Sequence, residues 1–345
     1  MKHFLLKASL FIIPFFALCL YIKFWEEPQW TGDLGRLGKI PFGSLTPIQD
    51  NDTIENYVVN CKSIEELGNA KNITIGDSFS QQEKGYQLYL GNIINDTIYN
   101  IRFNNLNPEE SAIYLIKNNK IPNCKHLIIE SVERSCIWRL NNIKFSICNY
   151  DSLSILKEET HISKFMTLTD IASYIRLKFS YKCPFSTVEL SKPLFSHPTF
   201  HSSLVFLDSK NDSDLSFINY NDSLYTKAID NIIRLHTLAK QQNINLIYLI
   251  AADKYDVYSE YIKNNPFPVN LTLDKFKIDE NWFINSKAIF QRHLQLGIKD
   301  IYYVNDTHWS PVGAQIVGEY IGSIIQDIHC YKYPYYQISL AYTKK

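Results

Sequence analysis

The sequence predicts an α/β fold in which a mostly parallel five-stranded sheet lies between two layers of helices. Short β-branched or apolar runs alternate with segments that have apolar residues at helical spacing, which is typical of parallel strands joined by helices. With 345 residues, 46% of them hydrophobic, the chain is long enough for one large domain of this kind. At two places an apolar run leads through polar residues into a helix, as at the functional edge of such sheets.

The predicted elements follow one another along the chain. The predicted strands are short apolar runs: Ile73–Ile75, Ile98–Phe103, His126–Glu130, Ile244–Ala251 and Ile301–Val304. The predicted helices have amphipathic spacing or a capping residue in front: Gln81–Leu90, Pro108–Asn118, Asp170–Lys178, Leu224–Gln242, Trp282–Leu296 and a last one that begins at Pro311 behind Ser310. The mostly apolar third strand is typical of a central parallel strand.

The chain divides into four predicted regions around one catalytic domain. Residues 1–25 form a membrane anchor or signal segment, and residues 26–70, rich in Gly and Pro, form a loop-rich connector. The domain spans residues 71–328, with an insertion around 137–222, and residues 329–345 are a tail. The insertion either forms a cap or groove wall beside the site or is a decorative addition, and both readings stay open.

The N-terminal segment predicts a location outside the cytoplasm. Lys2 and Lys7 precede the apolar run Ala8–Ile22, and Lys23 follows it. The run is short for a full span, although apolar neighbours on both sides extend it while the lysines snorkel. A signal peptide has the same layout. Because no good cleavage site follows, we predict an uncleaved membrane helix, with the main domain at the cell surface or in the periplasm.

Charge and cysteine content exclude some classes of function. The acidic and basic residues balance at 35 each, which argues against a nucleic-acid partner. The seven cysteines include no Cys-x-x-Cys pair, so a metal site is not predicted. Export permits disulfides, and Cys136 with Cys148 is a candidate pair, with buried free thiols as the alternative.

The stretch Lys71–Phe79 supplies a candidate nucleophile. A β-branched run ends at Gly76, which allows a sharp turn, and Ser78 then stands between a strand and a helix. A serine in this position lies beside free N–H groups of the helix start, and such donors can stabilise an oxyanion. Alone, the stretch is equally well explained as a capped turn.

A second stretch supplies the partners that a serine nucleophile needs. Asp306 and His308 follow the predicted strand Ile301–Val304 and precede the last helix. If both turns lie at the same sheet edge, His308 acts as the base for Ser78 and Asp306 orients the imidazole. The joint occurrence of the two turns favours catalysis over a structural role.

These motifs resemble those of a known enzyme superfamily. Gly76-Asp77-Ser78-Phe79 resembles the first block of the SGNH/GDSL hydrolases, and Asp306–Trp309 resembles their last block. The string from Asp306 to Ala314 is more similar to the SGNH-hydrolase-like alginate O-acetyltransferase group, which acts in the periplasm on exopolysaccharide. The resemblance implies a flavodoxin-like three-layer fold, and it covers roughly residues 70–325.

Further candidates bind the oxyanion or the substrate. The oxyanion blocks of the superfamily, a lone Gly and a Gly-x-Asn-Asp, are absent. Instead, Glu133 and Arg134 follow the third strand, where Arg134 can donate to an oxyanion while Glu133 holds it; a structural ion pair is the alternative. Two further candidates, Asp77 and Trp309, belong to the motifs themselves. Three others follow the fourth strand, where ordinary packing is the alternative: Lys254, Tyr255 and Tyr258.

Together the residues and the resemblance predict an exported serine acyltransferase that O-acetylates a cell-surface or secreted polysaccharide. Its acyl donor would be supplied by a membrane acyltransferase, and no cofactor is expected. Hydrolysis and transfer share the acyl-enzyme, so a carbohydrate esterase is the first alternative. The second is a catalytically idle polysaccharide-binding subunit of an export complex.

Overall fold

A six-stranded sheet in which every pairing is parallel runs through the domain. The computed structural model describes residues 2–25, 54–82, 84–103, 106–146, 185–196, 201–207, 220–304 and 306–327. In chain order the strands are β1 (Val58–Asn60), β2 (Asn72–Ile75), β3 (Ile98–Ile101), β4 (His126–Val132), β5 (Phe185–Glu189), β6 (Ser203–Leu207), β7 (Asn245–Ala251) and β8 (Phe283–Asn285). Strands β5 and β6 form a separate antiparallel hairpin.

Two groups of helices flank the sheet. The helices are α1 (Lys2–Trp25), α2 (Tyr86–Ile94), α3 (Pro108–Lys117), α4 (Glu133–Asn142), α5 (Asp222–Lys240), α6 (Lys254–Tyr258), α7 (Ser286–Gln295) and α8 (Pro311–Ile325). Helices α2 and α8 pack against each other, whereas α3 and α4 both pack against α5. The predicted α/β fold is therefore correct, with six strands in the sheet instead of five.

The strand order places a crevice beside β2. The order is β1-β3-β2-β4-β7-β8, so the chain leaves β2 towards β3 on one side and then returns to β4 on the other. Neighbouring strands whose connections run in opposite directions leave an open crevice at their carboxyl ends, where α/β proteins bind ligands. Ser78 follows β2 after Gly76 and Asp77, so the turn that carries this candidate nucleophile lies at the crevice.

Strands β4 and β7 and helix α8 agree with the apolar runs and the capping residue in their sequences. Every residue of β4 and β7 after the first is buried, as expected for parallel strands covered by helices on both faces. Helix α8 begins as predicted: the Ser310 hydroxyl accepts a hydrogen bond from the N–H of Val312 at 3.0 Å, and Pro311 takes the first helical position.

Two predicted elements are wrong. Ile301–Val304 is not a strand of the sheet, because Tyr302 instead forms an isolated antiparallel bridge with Trp309 of the following motif. Trp282–Leu296 is not one helix: Phe283–Asn285 forms edge strand β8 before α7 begins. The opposite edge, β1, lies in the segment predicted to be a connector.

The structure also bears on the predicted membrane helix and on the candidate disulfide. The apolar N-terminal run is helical, but among the described residues no helix is both long and apolar enough to span a membrane, so the predicted membrane helix is not found. Cys136 is a buried free thiol, contrary to the candidate disulfide. Cys148, the predicted helix Asp170–Lys178 and the tail 329–345 lie outside the described residues.

The contact between α2 and α8 depends on Gly318. A Cβ atom at this position would lie 2.6 Å from the carbonyl oxygen of Tyr86 and 3.0 Å from the amide nitrogen of Leu90. Because both are backbone atoms, Gly318→Ala is expected to lower the free energy of unfolding by about 1–3 kcal/mol, measured by urea denaturation.

Gly68 provides the matched control for this substitution. It also lies in a short helical turn, but a Cβ atom there would meet no atom within 4 Å. Gly68→Ala should leave the stability unchanged or slightly higher. Equal stability of the two variants would contradict the tight packing of α8 on α2.

Candidate active site

Ser78, His308 and Asp306 form a continuous chain of hydrogen bonds. The Ser78 Oγ lies 2.7 Å from Nε2 of His308, and the Nδ1 of the same ring lies 2.6 Å from Oδ1 of Asp306. Because the carboxylate can only accept, the ring proton belongs on Nδ1, which leaves Nε2 free to accept the serine proton. This is the arrangement that a general base needs to activate a serine hydroxyl.

The Asp306 carboxylate is held in its charged form. Burial by itself would raise the pKa of this group, but the facing His308 ring and two hydrogen bonds from His308 outweigh it and lower the pKa to about 2. One of these bonds comes from the backbone N–H of His308, at 3.0 Å. Asp306 is therefore ionised at neutral pH, as required of a group that stabilises an imidazolium.

The turn that carries Ser78 is packed against a buried carboxyl group of β4. A Cβ atom at position 76 would collide with the hydroxyl of Ser80 and with Oε2 of Glu130, so only Gly76 lets the turn approach β4. Glu130 then accepts two hydrogen bonds on Oε2, from the backbone N–H of Asp77 at 2.8 Å and from the Ser80 hydroxyl at 2.9 Å. Glu130 thus fixes the residues on both sides of the nucleophile.

Burial has a strong effect on Glu130 itself. Removal from water and the neighbouring charge of Asp77 raise the pKa of the Glu130 carboxyl to about 8. Glu130 was not predicted as a site residue, although a glutamate inside a mostly apolar strand is a signal, because a buried polar group must find partners.

The Asp77 side chain is committed to the fold. Its carboxylate accepts two hydrogen bonds from the guanidinium of Arg139 on α4, one of them at 2.9 Å, and a third from the N–H of Val132 at 2.9 Å. It makes no capping hydrogen bond to the short 3₁₀ helix Ser78–Gln81 that it precedes. Asp77 therefore orients the turn through its pairing with Arg139, and its predicted role in binding the substrate or the oxyanion stays a prediction.

The carbonyl group of Ser80 fastens the end of the same turn. It accepts hydrogen bonds from the side-chain amides of Gln87 and Asn100, both at 2.9 Å. Both side chains are buried, and Asn100 interrupts the apolar strand β3. Neither was predicted; for Asn100, a polar residue within a buried strand was the available signal.

Glu133 and Arg134 are brought near the sheet edge but do not pair with each other. Arg134 forms an ion pair with Asp253 at 3.0 Å. Glu133 accepts hydrogen bonds from the N–H of Asp253 and from the side-chain amide of Asn270, both at 2.8 Å. Burial, followed by the charges of Asp256 and Asp253, raises the pKa of Glu133 well above its usual range. Arg134 thus takes part in an ion pair at the strand end, the structural alternative, and its donation to an oxyanion stays a prediction.

The three candidates after β7 do not line a groove, because all are fully buried. The Lys254 ammonium donates to the backbone carbonyl of Asp306 at 2.7 Å, so it holds the loop that carries the acid. The Tyr255 hydroxyl donates to a backbone carbonyl at 2.8 Å. The Tyr258 ring is stacked on Phe195 at 5.5 Å, where no sugar can reach it.

Trp309 is also a core residue and not a substrate contact. It is fully buried, its indole N–H donates to the hydroxyl of Tyr302 at 3.0 Å, and its ring packs 4.8 Å from that of Phe79. Phe79 in turn lies 4.9 Å from the His308 ring. Trp309 therefore links the two motifs by packing the residue after Ser78 against the residue after His308.

No protein-family model matches the chain, and no curated protein matches it. Within the described part of the chain, no three His, Cys, Asp or Glu residues are grouped to hold a metal ion. The resemblance to the SGNH hydrolases therefore depends on the two sequence motifs.

Replacing Glu130 by Gln should make the free energy of unfolding less dependent on pH. The usual pKa of a glutamate is 4.5, whereas that of folded Glu130 is about 8. Between these values the folded protein binds more protons than the unfolded chain, so the contribution of Glu130 to stability falls as the pH rises from about 4.5 to 8. In urea denaturation at pH 5 and pH 8, Glu130→Gln should lose less stability over this interval than the wild-type protein.

Glu66→Gln serves as the control for the charge change, since Glu66 is exposed at the surface. It is expected to keep the wild-type difference between pH 5 and pH 8. If Glu130→Gln and the wild-type protein lose the same stability, the carboxyl group of Glu130 is not buried in the way described.

Proposed function

We propose that this protein is a serine-dependent O-acyltransferase that forms an acyl-enzyme on Ser78 and passes the acyl group to a hydroxyl of a polysaccharide. The observation that carries the proposal is the hydrogen-bonded chain from Ser78 through His308 to Asp306, with distances of 2.7 and 2.6 Å. A serine with its hydroxyl on a neutral imidazole, backed by a buried carboxylate, is the arrangement of acyl-transferring enzymes. The motif resemblance supports the same class.

In the first half-reaction, Ser78 Oγ attacks the carbonyl carbon of the acyl donor while its proton passes to Nε2 of His308. The imidazolium, stabilised by Asp306, then returns the proton to the leaving group, and the acyl-enzyme remains. In the second half, an acceptor hydroxyl gives its proton to Nε2 and attacks the acyl carbonyl. The imidazolium returns this proton to Ser78 Oγ as the bond between Oγ and the acyl carbon breaks, which restores the free serine.

The oxyanion formed in both steps needs hydrogen-bond donors. We assign this role to the backbone N–H groups of Ser78 and Phe79, because the Asp77 side chain does not cap the 3₁₀ helix Ser78–Gln81 and its carbonyl accepts from the N–H of Ser80. Arg134, the alternative donor, is instead paired with Asp253. Backbone donors also explain how the chain can act without the Gly-x-Asn-Asp motif of the superfamily.

Transfer and hydrolysis differ only in the acceptor of the second half-reaction. The string Asp306–Ala314 supports transfer, because it is more similar to the acetyltransferase group than to the hydrolases. The acyl donor is then expected to come from a membrane acyltransferase, and the acceptor to be a cell-surface or secreted polysaccharide.

The triad is tested with a chromogenic acetyl ester, p-nitrophenyl acetate, with and without an oligosaccharide acceptor. Ser78→Ala and His308→Ala are each expected to reduce turnover to the background rate, because the members act as a unit. Asp306→Asn, which alters the ring tautomer and orientation, should cost about 10²–10⁴-fold. Acetylated sugar, detected by mass spectrometry, indicates a transferase, and acetate release alone indicates an esterase.

Ser223→Ala is the control for the nucleophile, because Ser223 is an exposed serine at the start of α5. It should retain full turnover. If Ser78→Ala remains as active as Ser223→Ala while its melting curve is unchanged, the mechanism is refuted, and absence of turnover in the wild-type protein favours the idle binding subunit.

The location outside the cytoplasm is part of the proposal. Its support is the apolar run Ala8–Ile22 with lysines on both sides, a layout that membrane anchors and signal peptides share. In intact spheroplasts, added protease is expected to degrade the main domain, because it faces outward. Protection of the domain until the cells are lysed would contradict this orientation.

A further inference from the structure

A pocket of about 390 Å³ opens beside the nucleophile turn, and the proposed chemistry does not use it. Gly76 and Asp77, the two residues before Ser78, form part of its wall. Ser78 follows Asp77 in the chain, so the pocket borders the turn that carries the candidate nucleophile. The volume falls within the range of ~300–1,000 Å³ that is usual for small-molecule sites.

Trp138 on α4 gives the pocket a large exposed aromatic surface. It is 61% exposed, whereas the other apolar residues of α4, Cys136, Ile137 and Leu140, are buried. A tryptophan combines a broad apolar face with a polar edge, which suits ligands that are apolar on one face and polar around the rim. Sugar rings have this character, with C–H groups on their faces and hydroxyls at their edges.

The charged groups of the pocket balance one another. Arg102 and Arg139 are positive, and Asp77 and Glu110 are negative, so the formal charges of the lining cancel. Arg139 is engaged with Asp77, but Arg102 forms no ion pair with another side chain in the described part of the chain. Its guanidinium offers five N–H donors, and the carboxylate of Glu110 offers acceptors. This supply of donors and acceptors without net charge matches neutral hydroxyl groups.

We infer that this pocket binds a neutral glycosyl unit of the acceptor, stacked on Trp138 and hydrogen-bonded through its hydroxyls to Arg102 and Glu110. The inference rests on the proposed function, because it gives the acceptor a defined place beside Ser78. An acetyl group is far too small to fill the pocket. A strongly charged unit would meet as many like charges as opposite charges there, so the lining would give it no net attraction. Stacking on Trp138 places the ring against the wall that ends at the nucleophile turn.

The experiment measures sugar binding without catalysis, in full-length protein carrying Ser78→Ala. The probes are neutral tetrasaccharides of β-1,4-glucose, α-1,4-glucose and β-1,4-mannose, with tetragalacturonate as the acidic comparison. Binding is followed by saturation-transfer NMR and by titration of tryptophan fluorescence. At least one neutral probe is expected to bind saturably and more tightly than tetragalacturonate.

The pocket is tested by substitutions in the same Ser78→Ala protein. Trp138→Ala and Arg102→Ala are each expected to weaken the binding at least tenfold, whereas Trp138→Phe keeps an aromatic face and should retain part of it. Ile233→Ala is the matched control, since Ile233 is an exposed apolar residue of α5, outside the pocket, with 45% exposure. This variant should bind as the parent does.

Three results would overturn the inference: binding that survives both Trp138→Ala and Arg102→Ala, preference for tetragalacturonate, or no binding of any neutral probe. The proposed function fails by a different measurement: the wild-type protein would then not turn over p-nitrophenyl acetate through Ser78. Turnover without neutral sugar binding refutes the pocket alone, and sugar binding without turnover refutes the chemistry alone.

Discussion

The two hydrogen bonds to the buried carboxyl group of Glu130 determine where the nucleophile lies. They fix the N–H of Asp77 and the hydroxyl of Ser80, the residues on either side of the segment that presents Ser78. A carboxyl group is costly to bury as an anion, so burial raises the pKa of Glu130 to about 8 and favours its protonated form. The remaining contacts of the turn, from Arg139 to the side-chain amides at Ser80, depend on this placement.

The other half of the triad is fastened by a different buried group. Lys254 donates to the backbone carbonyl of Asp306, and the core residue Trp309 packs beside His308 through Phe79. Ser78 and His308 are 230 positions apart in sequence, yet their side-chain atoms lie 2.7 Å apart. Two buried anchors, Glu130 on β4 and Lys254 after β7, keep this distance short. They are needed because neither motif is long enough to hold its own conformation without contacts from the rest of the domain.

The sequence predicted the parts of the structure that are encoded locally. The apolar runs of β2, β4 and β7 and the polar turn behind β2 can be identified without knowing their neighbours. Edge strands β1 and β8 have three residues each, too few for a periodic pattern. The burial of Lys254 and the pairing of Arg134 with Asp253 depend on residues far apart in the chain, and so sequence reasoning assigned these side chains to a groove or to an oxyanion.

Asp77 connects the rigid support of the nucleophile with the pocket that we infer for the acceptor. Its N–H is held by Glu130, its carboxylate is held by Arg139, and both Asp77 and Arg139 line the pocket. A sugar bound there would therefore contact the same residues that fix Ser78, so the positions of acceptor and nucleophile are set by one network. Under the proposed function, such a shared support would lower the entropy lost when the two are brought together. It would thereby let transfer to a bound hydroxyl compete with water, which is far more concentrated.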